Sequence, residues 1–331
     1  MIGRMKEDRN PAAYAPEVAE LITRMRQGDV RALARAVSLV ENDAPSARQI
    51  LSCCFPYSGS AVRIGVTGSP GAGKSTLVDG LVRRYRAQPV TVGVVAVDPT
   101  SPYTGGAILG DRIRMQEHDS DPGFYMRSMA TRGSLGGLAR TSADVAVVIE
   151  ASGKDRLLLE TVGVGQDEID IVRLADVTIV VLVPGMGDDV QSIKAGIMEI
   201  ADIFVVNKSD RDGADRLEKE VRAMQSLASH HGSWIPPVVR TIASKGAGIE
   251  ELVQAVEQFW SWLAEGGRLM ARREAHWRLR VLEMMRDELL REVRGHGLSD
   301  QALAAIGHQV ARRQQDPYEL VPRLVNQLLR L

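Results

Sequence analysis

"GVTGSPGAGKSTLVDGL", residues 65–81, decides the fold. Its core, "GSPGAGKS", fits the spacing G-x-x-x-x-G-K-[ST], with Gly68, Gly73, Lys74 and Ser75 at the fixed places. The preceding run, "AVRIGVTG", is apolar and β-branched, which predicts a buried strand. The following run, "KSTLVDGLVRRY", sets Leu77, Leu81 and Val82 on one helical face. Strand, glycine loop and helix form the context in which this spacing holds phosphate. Glycines let backbone N–H groups curl around phosphate oxygens, and the helix N-terminus adds positive potential. Gly68, Ser69, Pro70, Gly71, Ala72, Gly73, Lys74, Ser75 and Thr76 are therefore the candidate cradle. Lys74 is expected to reach the β and γ phosphates, and the Ser75 hydroxyl to ligate Mg2+.

Outward from this loop, residues 62 to about 262 alternate apolar runs with helical patterns. The runs are "VRIGVTG", "VTVGVVAVD", "RLLLET", "VTIVVLVPG", "IFVVNKSD" and "VVRTIAS", with "GFYMRS" weaker. Continuous β-branched strands separated by helices predict an α/β P-loop NTPase: a mostly parallel central sheet flanked by helices. Ligands on such sheets sit at the carboxyl ends of the strands. Before this region, Val18, Leu21, Ile22 and Met25 follow helical spacing, and Asp29 can cap a second helix carrying Leu33, Val37 and Val40. "ENDAPSAR" breaks the pattern. After it, Leu282, Met285, Leu289 and Val293 form a stripe. "DPYE", residues 316–319, resembles a capped helix start, and its helix carries Leu320, Leu324, Val325 and Leu328. These stripes fit either an intrachain core or a dimer surface. The expected organisation is a helical arm at 1–55, the P-loop domain at 56–265 and a helical region at 266–331.

The bulk numbers exclude several classes. The 331 residues balance 41 Lys and Arg against 42 Asp and Glu, net −1. That argues against a general nucleic-acid or membrane-surface binder. No apolar run approaches the ~20 residues of a membrane span. "MIGRMKEDRNPAAYAPE" lacks a signal-peptide core, so a cytoplasmic location is expected. Cys53 and Cys54 read as reduced packing thiols. His230 and His231 read as surface residues rather than metal ligands.

Polar residues just after the apolar runs carry the remaining chemistry. Asp98 and Glu160 end two strands, and Asp111 lies on the glycine-rich "YTGGAILGDRIRM". Three acids around a P-loop are candidate Mg2+ ligands, direct or through water, on segments that can switch. Gly163, three residues past Glu160, lets a backbone N–H approach the γ-phosphate. Asn207, Lys208 and Asp210 form N-K-x-D. The Asp210 carboxylate can accept from guanine N1–H and the 2-amino group; adenine offers neither donor. The Lys208 stem can stack on the base, and Asn207 can tie loops together. Ser244 and Lys245, with Gly246 beside them in "TIASKGAGI", offer backbone N–H groups to guanine O6. The nucleotide is therefore GTP.

Hydrolysis is less well marked. Small GTPases such as Ras place a water-orienting glutamine directly after the D-x-x-G glycine. Here that position is Val164, and Gln166 lies two residues on. Unaided turnover is expected to be slow. "PGMGDDVQSIKAG", residues 184–196, reads equally as a helix start capped by Asp188 and Asp189 and as a segment that responds to nucleotide or partner. Lys194 is its candidate for stabilising transition-state charge.

Taken together, "GVTGSPGAGKST", "VVAVDPTSP", "TGGAILGDRIRM", "RGSLGGLA", "ETVGVGQ", "PGMGDDVQSIKAGIMEIAD", "NKSD" and "ASKGAGI" resemble the MeaB/ArgK (MMAA-type) P-loop GTPases over roughly residues 15–265. The resemblance implies a GTP-hydrolysing metallochaperone of an adenosylcobalamin-dependent acyl-CoA mutase, most often methylmalonyl-CoA mutase. Such proteins gate cofactor loading and protect the mutase from inactivation. It also implies a homodimer joined through the C-terminal helices. It places Asp98, Asp111 and Glu160 in the Mg2+ and switch region, and residues 184–194 in a partner-sensing segment. Cobalamin is not expected to bind this chain itself, which lacks D-x-H-x-x-G. The competing readings are a P-loop kinase linked to amino-acid transport, which "NKSD" opposes, and a nickel-delivery GTPase, whose metal ligands are absent from the sequence.

Overall fold

All seven apolar runs, the weaker "GFYMRS" included, become strands, and every pairing between them is parallel. The computed structural model describes residues 14–98, 118, 120–130, 137–161, 174–185, 200–227, 234–295 and 299–328. The strands are β1 (Val62–Gly68), β2 (Val92–Asp98), β3 (Phe124–Ala130), β4 (Arg156–Glu160), β5 (Val177–Leu182), β6 (Ile203–Asn207) and β7 (Val238–Thr241). Their order is β3-β2-β4-β1-β5-β6-β7. β1 is central. The chain moves to one side of it for β2, β3 and β4, then crosses to the other for β5, β6 and β7. Such a reversal is where open parallel sheets bind their ligands.

Helices cover both faces. α1 (Pro16–Arg26), α2 (Val30–Glu41) and α3 (Ala47–Cys54) precede β1; α4 (Lys74–Arg86) follows it. α5 (Gly137–Ala151) precedes β4, α6 (Ala214–Leu227) precedes β7 and α7 (Ile249–Ala264) follows it. On one face Val62, Ile64, Val66 and Val181 pack against Leu77 and Leu81 of α4 and Leu252, Val256 and Phe259 of α7. On the other, Val95, Val97, Leu157 and Leu159 meet α5 and the N-terminal helices through Val18, Ile22, Met25, Leu33, Val37 and Ile50. A third cluster joins Val180, Leu182, Phe204 and Val206 to Leu217 and Val221 of α6. α2 starts as its sequence predicts: Asp29 Oδ1 accepts from Arg31 N at 2.9 Å and Ala32 N at 3.1 Å. α3 follows the break between helices expected at "ENDAPSAR" and completes the N-terminal layer.

One device recurs at the amino ends of the strands. Asp155, Asp176 and Asp202 stand just before β4, β5 and β6. Each carboxylate accepts a backbone N–H from a neighbouring strand or its approach: Thr91 at 2.7 Å, Arg63 at 3.1 Å and Thr178 at 2.8 Å. Register is thus pinned at the end opposite the glycine loop. Beside Asp176, Arg63 donates from Nε to Glu150 Oε1 at 2.5 Å and from Nη2 to Oε2 at 3.0 Å. Glu150 is fully buried on α5 and also accepts Gly59 N at 2.8 Å.

The chain divides into two compact units, Met1–Leu269 and Met270–Leu331. α8 (Arg268–Gly295) runs from the end of the first into the second, which continues with α9 (Asp300–Ala311) and α10 (Pro317–Leu328). Asp316 Oδ1 accepts Tyr318 N at 2.8 Å, with Pro317 as the first residue of α10. Leu320 is buried, whereas Leu282, Met285 and Leu289 are more than half exposed, so this stripe is not covered within the described chain. Among the described residues no helix is long and apolar enough to cross a membrane.

Two outcomes follow from this packing. Glu150→Ala leaves the Arg63 guanidinium, only 17% exposed, without its carboxylate. A loss of about 3–5 kcal/mol is expected in urea unfolding. Burial pushes the Cys54 thiol up to about 12. Because the shift is upward, the thiol stays protonated at pH 8, with a thiolate fraction of about one in ten thousand. Iodoacetamide at pH 8 should leave Cys54 unmodified in the folded protein and alkylate it in urea, as peptide mass analysis would read.

Candidate functional site

The site is built on the carboxyl ends of β1, β4, β6 and β7. β1 ends at Gly68, whose φ is +141°. A Cβ there would stand 2.2 Å from Val181 O on β5, so the loop can leave the sheet only from a residue without one. Gly73 then opens α4 at φ +90°, and a Cβ on it would lie 2.5 Å from Asn207 Nδ2. The loop from Ser69 through Pro70, Gly71 and Ala72 is thereby held against both neighbours. Thr76 lies in the first turn of α4.

Lys74 is buried and donates from Nζ to Gly68 O at 2.6 Å and Ser69 O at 3.1 Å. Its ammonium is inside the mouth of the loop. Ser75 Oγ donates to Glu160 Oε1 at 2.6 Å. Glu160 is buried at the end of β4, in register with Val66 on one side and Ala96 on the other. A hydroxyl and a carboxylate side by side are an all-oxygen donor set, which suits a hard cation such as Mg2+. Thr161, next after Glu160, is clamped to β1: its N–H donates to Val66 O at 3.1 Å and its Oγ1 to Thr67 Oγ1 at 3.1 Å. Asp98 ends β2 with its backbone in register with Ala130.

The N-K-x-D turn touches the phosphate loop directly. Asn207 Nδ2 donates to Ala72 O at 2.8 Å, and Lys208 Nζ donates to Gly71 O at 2.7 Å. Lys208 adopts φ +54°, a left-handed backbone uncommon for a side-chain-bearing residue. Asn207 Oδ1 accepts Thr241 Oγ1 at 3.0 Å and Ala243 N at 3.1 Å. Asp210 Oδ2 pairs with Lys245 Nζ at 3.0 Å. The Lys245 ammonium holds the Asp210 carboxyl below the usual carboxylate range, so this acceptor stays ionised at neutral pH.

The structure therefore brings Gly68 to Thr76, Glu160, Asn207, Lys208, Asp210 and Ser244 to Gly246 to one edge of the sheet. The Lys245 N–H closes a 3-10 turn onto Ile242 O at 2.8 Å, and Gly246 N bonds Ala243 O at 3.2 Å, which shapes the segment carrying Ser244. Asp111, Gly163, Gln166 and Lys194 lie outside the described residues, as do His230 and His231. Sequence reasoning gave Thr241 no role; its only signal was position, at the end of an apolar run.

Comparison with known proteins agrees with this geometry. A Pyrococcus abyssi protein that carries GTPase in its name is 46% identical over 315 residues, spanning 94% of this chain and 97% of its own. GTPase ArgK of Escherichia coli is 37% identical, spanning 84% and 86%. The mouse protein named methylmalonic aciduria type A homolog, mitochondrial, is 34% identical, spanning 84% and 72%. A solved structure of a protein named LAO/AO transport system kinase superposes with a TM-score of 0.72 at 27% identity, over 96% of this chain and 99% of that one. The pattern of the family described as methylmalonyl Co-A mutase-associated GTPase MeaB matches residues 33–297. With its P-loop and N-K-x-D turn joined at the strand ends, the chain belongs to the MeaB family and is a P-loop GTPase.

Proposed function

We propose that this GTPase serves an adenosylcobalamin-dependent acyl-CoA mutase, methylmalonyl-CoA mutase or a close relative, gating cofactor loading and protecting the mutase from inactivation. One observation carries the reading: a base-recognition turn hydrogen-bonded to a phosphate loop, in a chain whose family is described as mutase-associated. An amino-acid transport kinase has the name of a solved relative in its favour, and an Asp210 carboxylate directed at guanine would oppose it.

In this reading Lys74 exchanges its two loop carbonyls for β and γ phosphate oxygens. Asp210 accepts guanine N1–H and the 2-amino group, while Ser244 N–H donates to O6 and the Lys208 stem stacks on the ring. Ser75, Glu160, Asp98 and Asp111 are the residues that would hold Mg2+. That ion, when bound, neutralises charge on the transferring phosphoryl group. Gly163 N–H approaches the γ-phosphate. Gln166 and Lys194 are the candidates for orienting water and stabilising charge, and the segment around Lys194 senses the partner. The nucleotide domain is 56–265, the helical arm 1–55, and region 266–331 joins two copies through the exposed stripe of α8.

Asp210→Asn replaces a double acceptor by one acceptor and one donor. GTP affinity should fall by at least about a hundredfold, and XTP, with an acceptor at C2, should bind in its place. Equal GTP affinity in the variant, read by calorimetry, would remove Asp210 from base recognition. The partner is tested by GTP turnover alone and with a purified mutase. Stimulation of at least about tenfold is expected; no change with any cobalamin-dependent acyl-CoA mutase would sink the proposal.

A further inference from the structure

We propose that Thr241 is a positioning residue of this GTPase, the pin through which base recognition and phosphate grip become one cooperative event. The inference rests on reading Asn207 and the P-loop as one nucleotide site. The Asn207 side-chain amide has two ends, and each end meets a different loop. Nδ2 holds Ala72 O of the phosphate loop; Oδ1 receives Thr241 Oγ1 and Ala243 N of the base loop. Two donors face one end and a carbonyl faces the other, so only one orientation of the amide is satisfied. Without the Thr241 hydroxyl, Oδ1 keeps a single donor and that orientation is held less firmly.

This hydroxyl is enclosed together with its partner. Asn207 and Thr241 are both buried, at 2% and 1% exposure, and stand opposite each other in the β6–β7 register. The backbone around Thr241 is equally tied. Its carbonyl accepts Ser209 N at 3.1 Å, which fixes the turn carrying Asp210. Ile242 N donates to Ala247 O at 3.0 Å, folding segment 243–247 back beside Thr241. Gly248 closes this return so tightly that a Cβ there would lie 2.0 Å from Arg240 O and 3.0 Å from Thr241 Cα. One side chain thus sits where the Asp210 turn, the Ser244 segment and the phosphate loop meet. A base that settles between Asp210 and Ser244 fixes this corner, and the Asn207 amide carries that order to Ala72.

The test compares the affinity of GTP with that of inorganic tripolyphosphate, which has no base. Thr241→Val keeps the shape and removes the hydroxyl; Thr241→Ser restores it. In the valine variant the advantage of GTP over tripolyphosphate should fall about five- to tenfold, the effect of one buried hydrogen bond. The serine variant should return to within about twofold of the parent. An unchanged advantage in Thr241→Val, or equal weakening of both ligands, overturns the proposal and leaves Thr241 a packing residue whatever its effect on Tm. Failure of serine to rescue overturns it as well. If the valine variant does not fold, Thr241→Ala carries the same comparison. The underlying reading is checked separately on the parent: if GTP binds no better than ATP there, the guanine assignment to Asp210 fails, whereas the GTP advantage over tripolyphosphate in Thr241→Val still reads the coupling of a base to the phosphate loop.

Discussion

A carbonyl oxygen of β5 occupies the space that a side chain at residue 68 would need. Val181 O leaves 2.2 Å for a Cβ, and from this exclusion much of the site follows. The chain can turn out of β1 only at glycine, and it turns while still pressed on the neighbouring strand. The loop is therefore referenced to the sheet rather than hung from it. Because β1 is central, the loop also lies beside the end of β4, which brings Glu160 to Ser75. Gly73 repeats the constraint on the other side, where Asn207 fills the room a Cβ would take. Two missing side chains thus fix the loop between a carboxylate and the base-recognition turn.

Four carbonyls of the loop are met by side chains of the protein itself. Lys74 donates to two loop carbonyls, Lys208 to a third and Asn207 to a fourth. Asp210 is held by Lys245 and Ser75 by Glu160. These bonds join separate loops and hold the groups in place. They also set what a nucleotide must do. For Lys74, anionic phosphate oxygens would replace neutral carbonyls, so its ammonium gains an opposite charge in place of a dipole. For Asp210 the exchange is against an exposed ion pair, which contributes little in water. In the proposed reading both trades favour the ligand, and the buried Asn207 bonds are not among those exchanged.

The order of elements was legible in the sequence because parallel strands buried on both faces read as unbroken apolar runs. Even β3, the weakest of them, carries Phe124, Tyr125 and Met129 into the core. The glycine loop and N-K-x-D were legible for another reason: phosphate and guanine demand particular atoms at fixed spacing. What stayed hidden has no such spacing. Asp155, Asp176 and Asp202 pin register from positions that look like ordinary turn acids. The Glu150–Arg63 pair joins residues 87 apart in sequence. The 3-10 turn that the Lys245 N–H closes is equally hidden, because a short pattern does not say which amides bond within the chain. Thr241 was hidden because a threonine after an apolar run is compatible with any strand.

The second unit presents the opposite problem, a surface more apolar than one chain requires. Leu282, Met285 and Leu289 lie along one side of α8 and are more than half exposed. A long helix gains most of its stability by covering its apolar stripe, and propensity alone contributes little. The proposed homodimer supplies that cover. Charge is also uneven along the helix. Its first part carries Arg268, Arg272, Arg273, Arg278 and Arg280 against the single acid Glu274. Its second carries Glu283, Asp287, Glu288 and Glu292 against Arg286, Arg291 and Arg294. In the proposed homodimer, a two-fold axis perpendicular to α8 would set the helices antiparallel, basic part against acidic part, whereas an axis along α8 would set five arginines against five. The exposed stripe and the uneven charge of α8 are the two features that the proposed homodimer has to match.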